Sequence, residues 1–328
     1  MSHVIRTSYN EPLGLISPEE VKKIIAQRKW KTVEIKITPP DLAKYILFLN
    51  DAVVIRQSAE GVPLMTTTAI YGPIRPGTKV ALTPGEEGTG VRLIAENCTE
   101  ESLIKQLQDL ESKAPAPKPG NSVTVHANWV SSKDGGMVPS LDAAANVFGS
   151  TGSLYVNDKT VTLPVLDVSD ADYNETLAFY GGKLLRPNEE FCMGFDRVLF
   201  GMEYNTSLPD YIRNYAMSPF GGGGMFVEHH PFPHIFMPKP TTKDGEVFCE
   251  AKVTLGHKVK DPEDKVPQII FTTFRVPSDG SALVIKPSAI HNDSFTNGRL
   301  AVFVANTPAD TVAFRETSPF KNISVKDK

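Results

Sequence analysis

Short runs of β-branched and aromatic residues, each closed by glycine, proline, asparagine or aspartate, follow one another through most of the chain. This alternation confines it to a β architecture. After residue 121 the runs are SVTVHANWV, GSLYVN, KTVTLPVLDV, DRVLFGMEYN, GMFVEHH, EVFCEAKVTL, PQIIFTTFRV, SALVIKP and RLAVFVAN. Helical patterns rarely intervene, so the parallel sheet of an α/β protein, which needs a crossover helix between strands, is excluded. The expectation is a mainly β protein, an antiparallel barrel or sandwich with a few flanking helices.

The first part of the chain carries comparable runs, among them VVIRQS, PLMTTTAIYG, TKVALTP and GVRLIAEN. Two helices accompany them. Ser17-Pro18-Glu19-Glu20 reads as a capping box with proline at the first helical position, followed by an apolar face at Val21, Ile24 and Ile25. Thr99 to about Ser112 spaces Leu103, Leu107 and Leu110 on one side. A further short helix, LDAAANVF, is capped by Ser140. With 328 residues the chain is too long for one small core. Proline is concentrated between the two parts, which predicts a domain over 1–113, a linker over 114–121 and a second domain over 122–328. The β runs in both parts leave a degenerate duplication open.

Seven histidines are present, and three of them fall in the single stretch Gly221–Pro238. Alternate side chains of a strand share a face, so Glu228 and His230 point one way and His229 the other. His234 has the parity of His230, and His291 closes a distant strand-like run. Glu228, His230, His234 and His291 can therefore surround one cation, with the choice among Glu228, His229 and His230 left open. Imidazole with carboxylate suits one divalent transition metal: Fe(II) first, with Mn, Zn or Ni as alternatives. His126 and His257 read as structural or exposed, and Glu250 as a solvent-facing strand residue. Arg275 and Arg299 are candidate clamps for a substrate carboxylate, and each also fits a solvated face.

At these residues the chain resembles the cupin superfamily. Gly224 precedes Glu228-x-His230, with His234 where the family has its glutamate, and Gly280…Pro287-Ser288-Ala289-Ile290-His291 stands where the family has a proline-containing strand ending in histidine. The resemblance spans roughly residues 195–310. It implies a cupin-like β-barrel with a metal in its interior near the mouth, held by His230, His234 and His291, with Glu228 as a fourth ligand or catalytic base. Within that superfamily the chain is similar to the ring-cleaving dioxygenases of the hydroquinone type. The resemblance thus implies a non-haem iron enzyme acting on a small phenolic or organic acid. A Mn, Zn or Ni isomerase, decarboxylase or lyase of a hydroxy or keto acid is the alternative, and a non-enzymatic binding module is the third reading.

Other classes are set aside on composition. The net charge is -4 with no basic stripe, which argues against nucleic acid as a partner. No apolar run reaches the length of a membrane span, and the opening residues lack the pattern of a secretory signal. The expected partners are a small-molecule substrate and further copies of the same chain, in the cytoplasm. Three widely separated cysteines, Cys98, Cys192 and Cys249, are expected as unpaired thiols of a reducing compartment. Gly221–Gly224 lacks the Lys-Ser/Thr of a phosphate loop and is expected to be a flexible entry loop. No Gly-x-Ser-x-Gly nucleophile elbow is found.

Overall fold

The computed structural model describes residues 4–6, 66–74, 78–86, 89–110, 114–131, 151–193, 199–206, 225–239, 241–243, 246–248, 251–259, 266–305, 309–315 and 322–328. The expected helices after Ser17 and Ser140, the Gly221–Gly224 loop, Cys249 and Glu250 lie outside these residues.

Ahead of the proline-rich segment come β1 (Val4–Arg6), β2 (Thr66–Ile74), β3 (Thr78–Glu86), β4 (Thr89–Asn97) and helix α1 (Glu100–Leu110). Beyond it run β5 (Val123–Val130), β6 (Thr151–Val156), β7 (Val161–Asp167), a 3-10 turn (Ala171–Tyr173) and helix α2 (Asn174–Phe179). Next are β8 (Gly182–Leu185), β9 (Glu190–Met193), β10 (Leu199–Thr206), β11 (Phe226–His229) and β12 (His234–Lys239). The small hairpin of β13 (Thr241–Lys243) and β14 (Glu246–Phe248) leads to β15 (Ala251–Val259) and β16 (Gln268–Val276). The chain finishes with β17 (Ala282–Ile285), β18 (Ile290–Asn292), β19 (Gly298–Ala305), β20 (Asp310–Arg315) and β21 (Ile323–Asp327). The fold is mainly β, as the alternating runs require. Helix α1 begins where expected, with Thr99 Oγ1 accepting from the Ser102 backbone N–H at 3.2 Å.

Two large sheets organise these strands. One has seven strands in the order β1-β2-β10-β19-β12-β17-β8. The other has nine, β15-β18-β11-β20-β6-β5-β16-β7-β21, and an additional β15–β16 ladder closes its first seven strands into a barrel. A third sheet, β4-β3-β9, covers the seven-stranded one. Strands from either side of the proline-rich segment share sheets, since β2 pairs with β10 and β3 with β9.

The β-barrel expected from the sequence is present, and it is mixed in strand direction, not antiparallel throughout. Its β20–β6 ladder runs parallel, as do the β16–β7 and β21–β7 ladders that extend the sheet beyond the closure. Hydrophobic alternation states which face of a strand is buried and is silent on the direction of its neighbour, so this feature has no local signature.

Side chains of alternate parity sort into layers. All seven barrel strands point residues inward. Val125, Leu154, Val227, Phe271, Ile290 and Val312 belong to that apolar core, and Gly256 of β15 lies against Phe271 and Ile290. Ile235, Met237, Val284 and Phe303 of the seven-stranded sheet face the opposite way, against Val80 of β3, Phe191 of β9 and Leu110 of α1. The remaining faces of the two large sheets meet each other, and His234 and Phe236 of β12 touch His291 of β18 across that layer.

The cysteines correct an expectation. Cys98, just after β4, and Cys192 of β9 form a disulfide, with their Cα atoms 5.9 Å apart. Gln106 of α1 braces the joint by accepting from the Cys192 N–H at 2.7 Å and donating to its carbonyl at 2.6 Å. The two cysteines are 94 residues apart in sequence, and the β4-β3-β9 sheet brings them together.

Candidate metal centre

Each ligand candidate is placed by a different piece of local structure. Glu228 lies on β11, in register with His291 of β18 on one side and Thr311 of β20 on the other. Residues directly opposite across a ladder share a face, so these three side chains point together into the layer between the sheets. Asn292 Nδ2 donates to the Phe226 carbonyl and fastens β18 to β11. Pro231 and Pro233 then end strand pairing, because proline has no N–H for a ladder. Residues 230–233 carry the chain from the barrel to the seven-stranded sheet, and His230 is caught in the crossing. His234 opens β12 on the far side.

His230, His234 and His291 converge so that one nitrogen from each lies within 4.8 Å of the others. They are 5%, 6% and 2% exposed, and Glu228 is 8% exposed. Two of the rings have their tautomer set by the backbone. His230 Nδ1 donates to the Phe232 carbonyl at 2.9 Å, and His291 Nδ1 donates to the Ala289 carbonyl at 2.9 Å. Their Nε2 atoms are thereby left as lone-pair donors, the arrangement that metal-binding histidines use. His230 Nε2 faces His234 Nδ1 at 3.1 Å. His291 Nε2 is buried with no hydrogen-bond partner, and its nearest acidic neighbour is Glu228 Oε1 at 3.7 Å. A buried polar atom without a partner is costly, and a cation at this point would satisfy it.

The electrostatics agree. Burial, reinforced by the neighbouring His291, pushes His230 down to about 2. Burial likewise pushes His291 down to about 4, against the raising effect of its bond to the Ala289 carbonyl. Both rings are therefore neutral at physiological pH, which is the form that binds a metal. The Phe232 ring stacks on His230 with centroids 3.7 Å apart, and Phe236 packs on His234 at 4.3 Å. These two aromatic rings pack directly on the cluster.

His229 does not join the other three. It points to the opposite face of β11, 5.3 Å from the Trp129 ring and 3.6 Å from Asp310. Of the stretch left open by the sequence, His230 enters the cluster, Glu228 stands beside it, and His229 turns away. Arg275 forms an ion pair with Asp327 of β21 at 2.6 Å and is committed to that edge. His126, expected as structural or exposed, is bound through its backbone and ring to Asp158 with its side chain partly open to solvent.

Two residues escaped the sequence reading. Thr311 Oγ1 donates to Glu228 Oε2 at 3.0 Å and fixes the carboxylate. Ser288 adopts φ 61°, unusual for a residue other than glycine, and its N–H bonds the His230 carbonyl at 2.8 Å. The turn that precedes His291 therefore also braces His230. Its one legible sign was Pro287 ahead of the histidine, and nothing in a serine announces a left-handed backbone.

Fold and site together define a β-barrel protein with a buried three-histidine centre that could hold a metal ion. No family model, no curated protein and no solved structure matches the chain.

Proposed function

We propose that the chain is a metal-dependent enzyme of cupin type. His230, His234 and His291 hold one divalent transition metal and Glu228 supplies a fourth donor. The observation that carries this reading is the buried His291 Nε2, which has no hydrogen-bond partner and is aimed into a cluster of buried imidazoles beside a carboxylate. Among metals, three imidazoles and one carboxylate suit Fe(II), and the reaction we assign is oxidative cleavage of a small phenolic or organic acid. The ion, when bound, supplies Lewis-acid polarisation and a template for substrate oxygens and O2. The protein's own residues do the rest. Phe232 and Phe236 exclude water, the Phe232 and Ala289 carbonyls hold two rings in the ligating tautomer, and Thr311 fixes Glu228 beside them, as a ligand or as the base that takes the phenolic proton.

The test is elemental analysis of the purified chain beside a His234→Ala, His291→Ala double variant, followed by oxygen-electrode assays with phenolic acids. About one iron per chain, lost in the variant, together with oxygen uptake that follows iron loading, is the expected result. Stoichiometric Mn, Zn or Ni with turnover that survives anaerobic conditions would replace the oxygenase by an isomerase, decarboxylase or lyase. No metal in either protein after reconstitution would overturn the enzyme reading. Glu228→Gln separates the roles of that residue, because an amide keeps an oxygen donor and loses the base.

A further inference from the structure

Beside the turn that leads into β18 lies a surface pocket of about 660 Å³, within the size range of small-molecule sites. Distant parts of the chain build it: the end of α1, Tyr180 after α2, residues 256–258 of β15, and residues 286–290. Its apolar lining residues are Leu110, Tyr180, Pro287, Ala289 and Ile290, of which Pro287 is the partly exposed one and the rest are buried. Its basic lining residues are Lys258, Lys286, His257 and His229, with no carboxylate lining the pocket among the described residues.

The balance of charge decides what such a pocket can hold. Asp310, which lies outside the lining, faces His229 at 3.6 Å and acts on Lys258, so these two bases are partly offset. Lys258 also sits over the Trp129 ring, 4.3 Å from its centroid. Lys286 and His257 form no ion pair among the described residues. Their proximity shows in His257, which burial and then the Lys286 charge hold below the ordinary imidazole value. Lys286 is also pre-positioned. Its backbone N–H bonds the Gly181 carbonyl at 2.9 Å, and its stem lies against Gly181 where any side chain would collide with it. A lysine held this way loses less side-chain freedom on binding an anion than one waving in solvent.

We propose that this pocket binds a small organic anion, with its acid group taken by Lys286, His257 and Lys258 and its apolar body laid against Pro287 and the apolar lining around it. None of His230, His234 and His291 lines the pocket, so the site is distinct from the histidine centre and needs no metal. Charge-assisted bonds to the lysines give the acid group its selectivity, and the apolar lining selects for a hydrocarbon or aromatic body.

The experiment is calorimetric titration of the full chain, treated with chelator, with benzoate, its neutral isostere benzamide, and inorganic phosphate. Benzoate is expected to bind, benzamide about tenfold more weakly or worse, and phosphate more weakly than benzoate for want of an apolar body. Lys286→Met and Lys258→Met should each weaken benzoate by about tenfold, with Lys286→Arg restoring most of the loss. If a methionine variant fails to fold, the benzoate-to-benzamide ratio on the unaltered chain decides the matter alone. Equal affinity for benzoate and benzamide, phosphate binding tighter than benzoate, or no binding of any probe would overturn the assignment. So would benzoate binding that appears only when metal is restored, since the anion would then sit on the ion. These readings are taken without metal, so they stand or fall separately from the proposed enzyme activity.

Discussion

Burial takes His230 and His291 far from ordinary imidazole behaviour. Each has a folded value below its unfolded value of 6.5, at about 2 for His230 and about 4 for His291. Between those limits the unfolded chain binds more protons than the folded one, so stability rises with pH across that window. The contribution is fully present above pH 6.5 and drains away as the solution is acidified toward 4 and below. Urea unfolding of the metal-free chain should therefore show a stability flat near neutral pH and falling by on the order of a few kcal/mol toward pH 4. His291→Phe should flatten part of that fall, and an unchanged slope in the variant would refute the assignment of the titration to this ring. Strand parity made part of this site legible at the level of single residues. Glu228 and His230 on one side with His229 on the other follows from a period of two, and the structure agrees. The bracing roles of Thr311 and Ser288 were not legible, because each depends on a partner from a different strand or loop.

Among elements, β18 is the one whose placement matters most, since it carries His291 and is only three residues long. It is seated by β15 on one side and β11 on the other. Gly256 of β15 makes the seat possible. A Cβ there would stand 2.6 Å from Phe271 Cε1 and 2.9 Å from Ile290 Cγ2. Gly256→Ala should thus cost about 1–3 kcal/mol by overpacking and push β18 outward. Metal stoichiometry should fall with it although no ligand is altered. Native metal content in a destabilised Gly256→Ala protein would show that the centre tolerates movement of β18. The strands were largely visible in the sequence, β16 and β19 as apolar runs and α1 by its leucine spacing. Their partners were not visible, because a ladder is specified by two segments at once and either may lie far along the chain.

For the whole molecule, the Cys98–Cys192 bond ties the β4–α1 connection to β9 and so holds the outer sheet and helix over the seven-stranded layer. The bridged residues are 94 apart, and closing a loop of that length in the unfolded chain stabilises by about 2–4 kcal/mol in typical cases. Thermal unfolding of Cys98→Ser, Cys192→Ser should show a loss of that order. The histidine centre should still load metal, since none of its ligands lies on the tied elements. Equal stability with and without the bond would mean that α1 and the β3–β9 ladder hold the layer without help. Such a bond is also rare in a reducing cytoplasm, so alkylation trapping of the two thiols in cells tests the expected compartment directly. No helix among the described residues is long and apolar enough to cross a membrane.

The chain's own text determined the quantities that are local. Period-two alternation made it a β protein, proline and glycine ended the strands, and histidine spacing placed two of three cluster residues on one side of a broken strand. The tertiary structure alone decided what is non-local: that the barrel closes through β15 and β16, that one of its ladders runs parallel, that Cys98 meets Cys192, and that the histidines meet in the layer between two sheets and not among the side chains filling the closed barrel. The physical reason is that alternation specifies only which side of a strand avoids water. Which other strand supplies the covering surface, and in which direction it runs, is settled by packing the whole set of faces at once.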